Sequence, residues 1–127
     1  MVFVLKERDP GLLIEIFDDL QKIQDFRLLD TRNGFVDDNT QAGEIDYSGL
    51  AYDAVRDAFW ITSDKAQRLY LYSWKHDQVL QSFALGYGKQ GKYREIRNAE
   101  GVTYNSVTHR LYVVSDKKAR LYVFEVH

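Results

Sequence analysis

The chain has 127 residues, 45% of them hydrophobic, and a formal net charge of −2. This length suits a single domain, and the near-neutral charge removes the electrostatic reason to expect a nucleic acid as a partner. Without cysteine there is no disulfide and no thiolate nucleophile. No segment approaches the ~20 apolar residues that a membrane-spanning helix needs, so no membrane span is predicted.

The first 31 residues are predicted to contain three strands, at 2–7, 12–17 and 26–30, because they align with a repeat found further along the chain. A helix is the alternative over residues 10–25. Asp9 and Pro10 suit the N-cap and first position of a helix. One helical face would then carry Leu13, Ile16, Phe17, Leu20 and Ile23. The repeat favours strands, with a helical turn still open for residues 18–25.

Residues 46–75 and 98–127 are two copies of one motif. Shifting the chain by 52 positions aligns them without a gap, and nine of the 30 pairs are identical. Each copy reads as three short strands, at 48–53, 58–63 and 68–74 in the first copy and at 100–105, 110–115 and 120–126 in the second. A fourth strand, at 79–85, follows the first copy only. Four antiparallel strands in ~40–50 residues are typical of a propeller blade.

The predicted fold is therefore all-β, a partial β-propeller of about 2.5 four-stranded antiparallel blades. It forms a single domain over residues 1–127, with blade parts at 1–31, 46–85 and 98–127. The chain begins inside one blade and stops inside another. Open sheet edges are templates for association, so we expect self-association that covers the open blade faces. A fragment of a larger propeller is the alternative.

Four segments carry a family resemblance: KERDPGLL at 6–13, DYSGLAYD at 46–53, ITSDKAQRLYLY at 61–72, and NAEGVTY with LYVVSDKKARLYVFEV over 98–126. They resemble the SdiA-regulated family of bacterial β-propellers, specifically its C-terminal half. The resemblance implies an NHL-like, six-bladed propeller, usually located in the cell envelope behind an N-terminal anchor. It implies no defined activity, and the residues alone do not indicate a compartment.

Polar residues at the starts of the predicted first strands face the expected central channel. Oxygen ligands converging from neighbouring blades suit Ca²⁺, which takes six to eight of them. The predicted metal ligands are Asp46, Ser48, Asn98 and Glu100. The alternative is that these residues only solvate the mouth of the channel.

A calcium-assisted hydrolase of an ester, lactone or phosphoester is the enzymatic alternative, because a channel cation could polarise a carbonyl or phosphoryl oxygen. It also needs a general base. His76 and His109 fall in predicted turns and His127 ends the chain, so none lies at a channel-facing strand start. The sequence therefore favours a protein that is not an enzyme, with no catalytic residue assigned.

The loop GYGKQGKYREIRN at 86–98 matches two glycine-rich motifs superficially. Neither a dinucleotide fingerprint nor a P-loop is predicted, because no helix follows and Tyr93 stands where a P-loop has Ser or Thr. The loop is cationic, whereas the earlier loop at 30–47 is acidic. Complementary loop packing is one interpretation, and an anionic ligand or partner is the other. The predicted ligand-binding residues are Glu44, Lys92, Arg94 and Arg97.

Other repeated residues are predicted to be structural. Asp64 and Asp116 should accept turn amides, with Arg68 and Arg120 pairing nearby. Aromatic side chains that recur on the third strands should pack between blades, namely Tyr70, Tyr72, Tyr122 and Phe124. The leading functional hypothesis is a non-enzymatic binding or scaffold module of undefined ligand, either a small molecule or a protein, with a channel Ca²⁺. A truncated chain without independent activity is a further alternative.

Overall fold

The computed structural model describes residues 2–19, 22–37, 45–87 and 94–127. Within these ranges the secondary structure is twelve strands and two single-turn 3₁₀ helices, at Thr31–Asn33 and Lys117–Ala119. The strands are β1 (Val2–Lys6), β2 (Leu12–Ile16), β3 (Ile23–Leu28), β4 (Gly49–Asp53), β5 (Ala58–Ser63), β6 (Arg68–Ser73), β7 (Gln78–Ala84), β8 (Gly86–Tyr87), β9 (Arg94–Glu95), β10 (Ala99–Asn105), β11 (Arg110–Ser115) and β12 (Arg120–Glu125).

Ten of the strands form three antiparallel sheets, which we call blades 1, 2 and 3. Blade 1 has the order β1-β2-β3, blade 2 the order β4-β5-β6-β7, and blade 3 the order β10-β11-β12, while β8 and β9 form a separate hairpin. The all-β prediction of a partial propeller is thus confirmed. Strands rather than a helix occupy residues 12–16 and 23–28, and β3 begins three residues before its predicted start.

Consecutive blades pack face to face through two hydrophobic clusters. Between blades 1 and 2, Leu13 and Phe3 meet Phe59, with the rings of Phe3 and Phe59 4.8 Å apart. Between blades 2 and 3 the buried side chains are Trp60, Leu69, Leu71, Leu111 and Val113, with Tyr122 and Phe124 packed against them. The predicted inter-blade role of the repeated aromatic residues is confirmed by these contacts.

The first strands of blades 2 and 3 approach each other closely at a repeated glycine. A β-carbon built on Gly49 would lie 3.0 Å from Gly101 Cα and 2.9 Å from the Val102 nitrogen. At Gly101 the same construction meets nothing within 4 Å. The two positions are equivalent in the repeat, so their different surroundings arise because blade 3 covers Gly49 and no described element covers Gly101.

A buried carboxylate joins the β4–β5 turn to the neighbouring blade. The side chain of Asp53 has no solvent exposure, and it accepts hydrogen bonds from Arg56 Nη1 at 2.8 Å and Trp60 Nε1 at 3.0 Å. Arg56 also donates to the Tyr104 hydroxyl of blade 3 at 3.2 Å. Because a buried charge must be paired and hydrogen-bonded, this cluster fixes both the turn and the contact between blades.

No helix in the described ranges is long and apolar enough to cross a membrane.

Candidate functional site

A cationic cavity lies where the β8–β9 hairpin passes into blade 3. Backbone and hydroxyl contacts hold this passage in place. The Ile96 amide donates to the Leu85 carbonyl at 3.1 Å, and the Asp116 amide donates to the Asn98 carbonyl at 3.0 Å. The buried hydroxyl of Ser115 donates to the Arg97 carbonyl at 2.5 Å. These bonds fix the backbone at Arg97 beside the β11–β12 turn.

The cavity has a volume of about 450 Å³. Its described lining has four cationic side chains and one carboxylate, which gives a local charge of about +3 at neutral pH. The lining residues are Arg94, Glu95, Arg97, Ser115, Lys117, Arg120 and Tyr122. A concave site of one charge sign concentrates ligands of the opposite sign, so this arrangement suits an anion.

The equivalent position in blade 2 is filled instead of open. Phe35 is fully buried there, 5.0 Å from the ring of Tyr70 and 5.3 Å from that of Tyr47. Tyr70 is the repeat counterpart of Tyr122, and the buried Ile45 is the counterpart of Arg97. The same corner of the blade is therefore an apolar plug in one copy and a charged cavity in the other.

Three tyrosines around this plug are held in the neutral form. The hydroxyl of Tyr47 donates to the Leu29 carbonyl at 3.2 Å, that of Tyr70 to the Val36 carbonyl at 2.9 Å, and that of Tyr72 to Asp77. Burial, as the main cause, raises the pKa of each of these tyrosines well above the usual value near 10. Their ionisation would require the corner to open.

The Asp-Lys turn of blade 2 forms a contact that the sequence did not indicate. Asp64 was expected to accept amides of its own turn, and its Oδ1 does accept the side-chain amide of Gln67 at 3.1 Å. The same oxygen also accepts the Asn98 amide at 2.6 Å and the Ala99 amide at 3.3 Å. Arg68, which was expected to pair with a nearby group, donates to Ser82 on β7. Asp64 thus fastens the start of blade 3 to blade 2 and helps to position Arg97.

The four predicted metal ligands lie at the starts of β4 and β10, as expected. Asp46 accepts from the Lys65 amide at 3.2 Å, and Ser48 Oγ lies 3.2 Å from Thr62 Oγ1, so both have partners within blade 2. Asn98, in the left-handed region at φ 54, and Glu100 are exposed. Among the described residues there is no group of three or more His, Asp or Glu side chains that could hold a metal ion. The calcium site at Asp46, Ser48, Asn98 and Glu100 stays a prediction.

Two of the four predicted ligand-binding residues, Arg94 and Arg97, line the cavity. Glu44 and Lys92 lie outside the described residues. Sequence reasoning did not assign Lys117, Arg120 or Ser115 to this site. The signal was present in the repeat, because Ser115, Lys117 and Arg120 are the counterparts of Ser63, Lys65 and Arg68. These positions run from the end of the second strand to the start of the third, and their shared spacing favoured a structural role in both copies.

Both terminal blades present apolar side chains on their outer faces. Strand side chains alternate between the two faces of a sheet. In blade 3, Leu111 and Val113 face blade 2, so Val114, Leu121 and Val123 lie on the opposite face and are exposed. In blade 1, Phe3, Leu5 and Leu13 face blade 2, which leaves the opposite face to Val2, Val4, Ile14, Ile16 and Phe26.

Comparison with known proteins gave one family. The family model described as SdiA-regulated matches residues 1–125, nearly the whole chain. A search of curated proteins gave no match.

Proposed function

Because this chain belongs to the SdiA-regulated family, we propose that it is a non-enzymatic binding module built of propeller blades, with its ligand site in the cationic cavity. The observation that supports this most strongly is the described part of the cavity lining, in which four cationic side chains and the carboxylate of Glu95 surround about 450 Å³.

The proposed ligand is a small oxoanion, a carboxylate or a phosphate. Arg94 and Arg97 present planar guanidinium groups that bind such anions through paired hydrogen bonds, and Lys117 adds a compact positive charge. Arg120 brings a third guanidinium to the lining. Because these side chains are largely exposed, salt in solution should weaken binding.

The site is proposed to bind rather than to catalyse. The serine of the described lining, Ser115, already donates its hydroxyl proton to the Arg97 carbonyl. No histidine is among the described lining residues, so they include no imidazole that could act as a general base. A hydrolase that depends on the predicted channel Ca²⁺ remains the alternative, and calcium binding tests it separately.

We also propose that the chain acts as a self-associated assembly. The support is the exposure of Leu121 and Val123 on one terminal blade and of Val4 and Phe26 on the other. Contiguous apolar surface of this kind marks sites of protein association. The cell envelope is the location that the family resemblance implies, and it stays a prediction.

Isothermal titration with inorganic pyrophosphate and with citrate tests the binding proposal. Arg97→Ile copies the residue that blade 2 has at this position, and it should reduce affinity by about 10- to 100-fold, since hydrogen bonds to charged groups contribute about 1.5–3 kcal/mol. Arg94→Gln should also weaken binding. Arg110→Gln, which removes an exposed arginine outside the cavity, should bind as the unmodified chain does.

The salt dependence provides a second readout. Affinity should fall as ionic strength rises, because the contacts are between charges near solvent. If neither pyrophosphate nor citrate binds, the proposal is wrong. So would an Arg97→Ile variant that binds as tightly as the unmodified chain.

A further inference from the structure

The outer face of blade 3 repeats a surface that is covered elsewhere in the same chain. We call the side of a blade that faces the next blade its trailing face. On blade 2 this face includes Leu69 and Leu71, which blade 3 covers to exposures of 7% and 4%. Their repeat counterparts on blade 3 are Leu121 and Val123, with exposures of 58% and 51%. The trailing face of blade 3 therefore carries the same kind of apolar side chains as that of blade 2, but no described element covers them.

The outer face of blade 1 has the complementary character. We call the side that faces the preceding blade the leading face. In blade 2 it includes Ile61 and Tyr70, both fully buried against blade 1 and its following loop. In blade 1, Val4 and Ile14 form the third pair counted from the β1–β2 turn, and in blade 2 Ile61 and Tyr70 form the third pair counted from the β5–β6 turn. Val4 and Ile14 are therefore their counterparts in blade 1. Val4 is exposed and Ile14 is half-buried.

Both blade contacts inside the chain join unlike faces. The trailing face of blade 1 meets the leading face of blade 2, and the trailing face of blade 2 meets the leading face of blade 3. The chain thus shows which surface covers an exposed trailing face. A second copy of the chain offers such a surface on its blade 1.

Resting on the self-association proposed above, we infer that two chains pair so that the trailing face of blade 3 in each docks on the leading face of blade 1 in the other. The number two follows from ring closure. Propellers typically have four to eight blades, and two copies of the three blades that the structure describes give six. The two contacts between the chains are equivalent, each joining a trailing face to a leading face, so the pair has a two-fold axis along the central channel.

Charged substitutions on each face test this arrangement. The trailing-face variant is Leu121→Lys with Val123→Lys, and the leading-face variant is Val4→Glu with Phe26→Glu. Each should be a monomer alone, because lysine or glutamate would be buried against apolar side chains. Mixed in equal amounts they should form a two-chain species, which retains one unmodified contact and places lysine opposite glutamate in the other. Val107→Lys, in an exposed turn, should leave the pair intact.

Masses are measured by light scattering after size-exclusion chromatography, and circular dichroism with denaturant unfolding checks that every variant is folded. If only one of the two variants loses association, like faces pair, and this arrangement is wrong while self-association stands. If the unmodified chain is a monomer, self-association and the two-chain ring are both wrong. If it forms species larger than two chains, the six-bladed ring is wrong.

Discussion

Adding one methyl group at Gly49 should separate blades 2 and 3, whereas the same change at Gly101 should be tolerated. A β-carbon at Gly49 would lie 2.6 Å from Thr62 Oγ1, 2.9 Å from the Val102 nitrogen and 3.0 Å from Gly101 Cα. Two of these neighbours are backbone atoms of blade 3, which can move only if the blade moves. Overpacking of this kind costs about 1–3 kcal/mol.

Gly101→Ala is the matched control, because the two glycines are equivalent in the repeat. Nothing lies within 4 Å of the added carbon there. Replacing a strand glycine by alanine where space allows stabilises a protein by about 0.4–1 kcal/mol, mainly by restricting the unfolded chain. The free energies of unfolding of the two variants should therefore differ by about 1.5–4 kcal/mol.

Urea unfolding followed by the fluorescence of Trp60 and Trp74 measures this difference, with all proteins at one concentration. Equal effects at the two glycines would refute the close approach of the first strands. A Gly49→Ala variant as stable as the unmodified chain would refute it as well.

Three further predictions concern burial, ionisation and calcium. Asp53→Ala should destabilise the fold by about 3–5 kcal/mol, because it leaves Arg56 and Trp60 without their buried acceptor. Asp53→Asn should cost less, since Asn105 accepts the corresponding turn amides in blade 3; urea unfolding measures both, and a loss below about 1 kcal/mol for Asp53→Ala would contradict the role of the carboxylate. Stability should decline above pH 10. The pKa of Tyr47, Tyr70 and Tyr72 is raised in the folded protein, so these residues stabilise the fold fully at any pH below the ordinary tyrosine pKa. This stabilisation is lost at higher pH, where the tyrosines of the unfolded chain ionise. Absorbance at 295 nm should show three of the nine tyrosines titrating only with unfolding. If the predicted channel site binds Ca²⁺, the melting temperature should rise with added Ca²⁺, and Glu100→Gln should abolish the rise; no change in melting temperature and no heat in calorimetry would remove the site.

Strand positions could be predicted from the sequence because they depend on local pattern and on the repeat. The copies at 46–75 and 98–127 placed β5 and β11 with the bounds that the structure has, and the repeat correctly favoured strands over a helix after Pro10. The predicted start of β3 was three residues too late, because residues 23–25 have no counterpart in the repeat and are exposed.

The contacts between blades could not be predicted in the same way, because they join residues far apart in the chain. Asp64 was assigned only to its own turn, yet it also accepts amides 34 and 35 residues away. The cavity was found only in part for a related reason. Arg94 and Arg97 were recognised because they belong to a charged loop. Lys117 and Arg120 matched Lys65 and Arg68 so closely that only a structural role was predicted for them. The two copies differ at this corner because Phe35 fills it in blade 2, and Phe35 lies outside the aligned repeat.

The mass of the unmodified chain in solution tests the assembly most directly. Light scattering across a range of concentrations should give the mass of two chains, because the exposed faces carrying Leu121 and Val4 would then cover each other. A mass of one chain at every concentration would contradict the account.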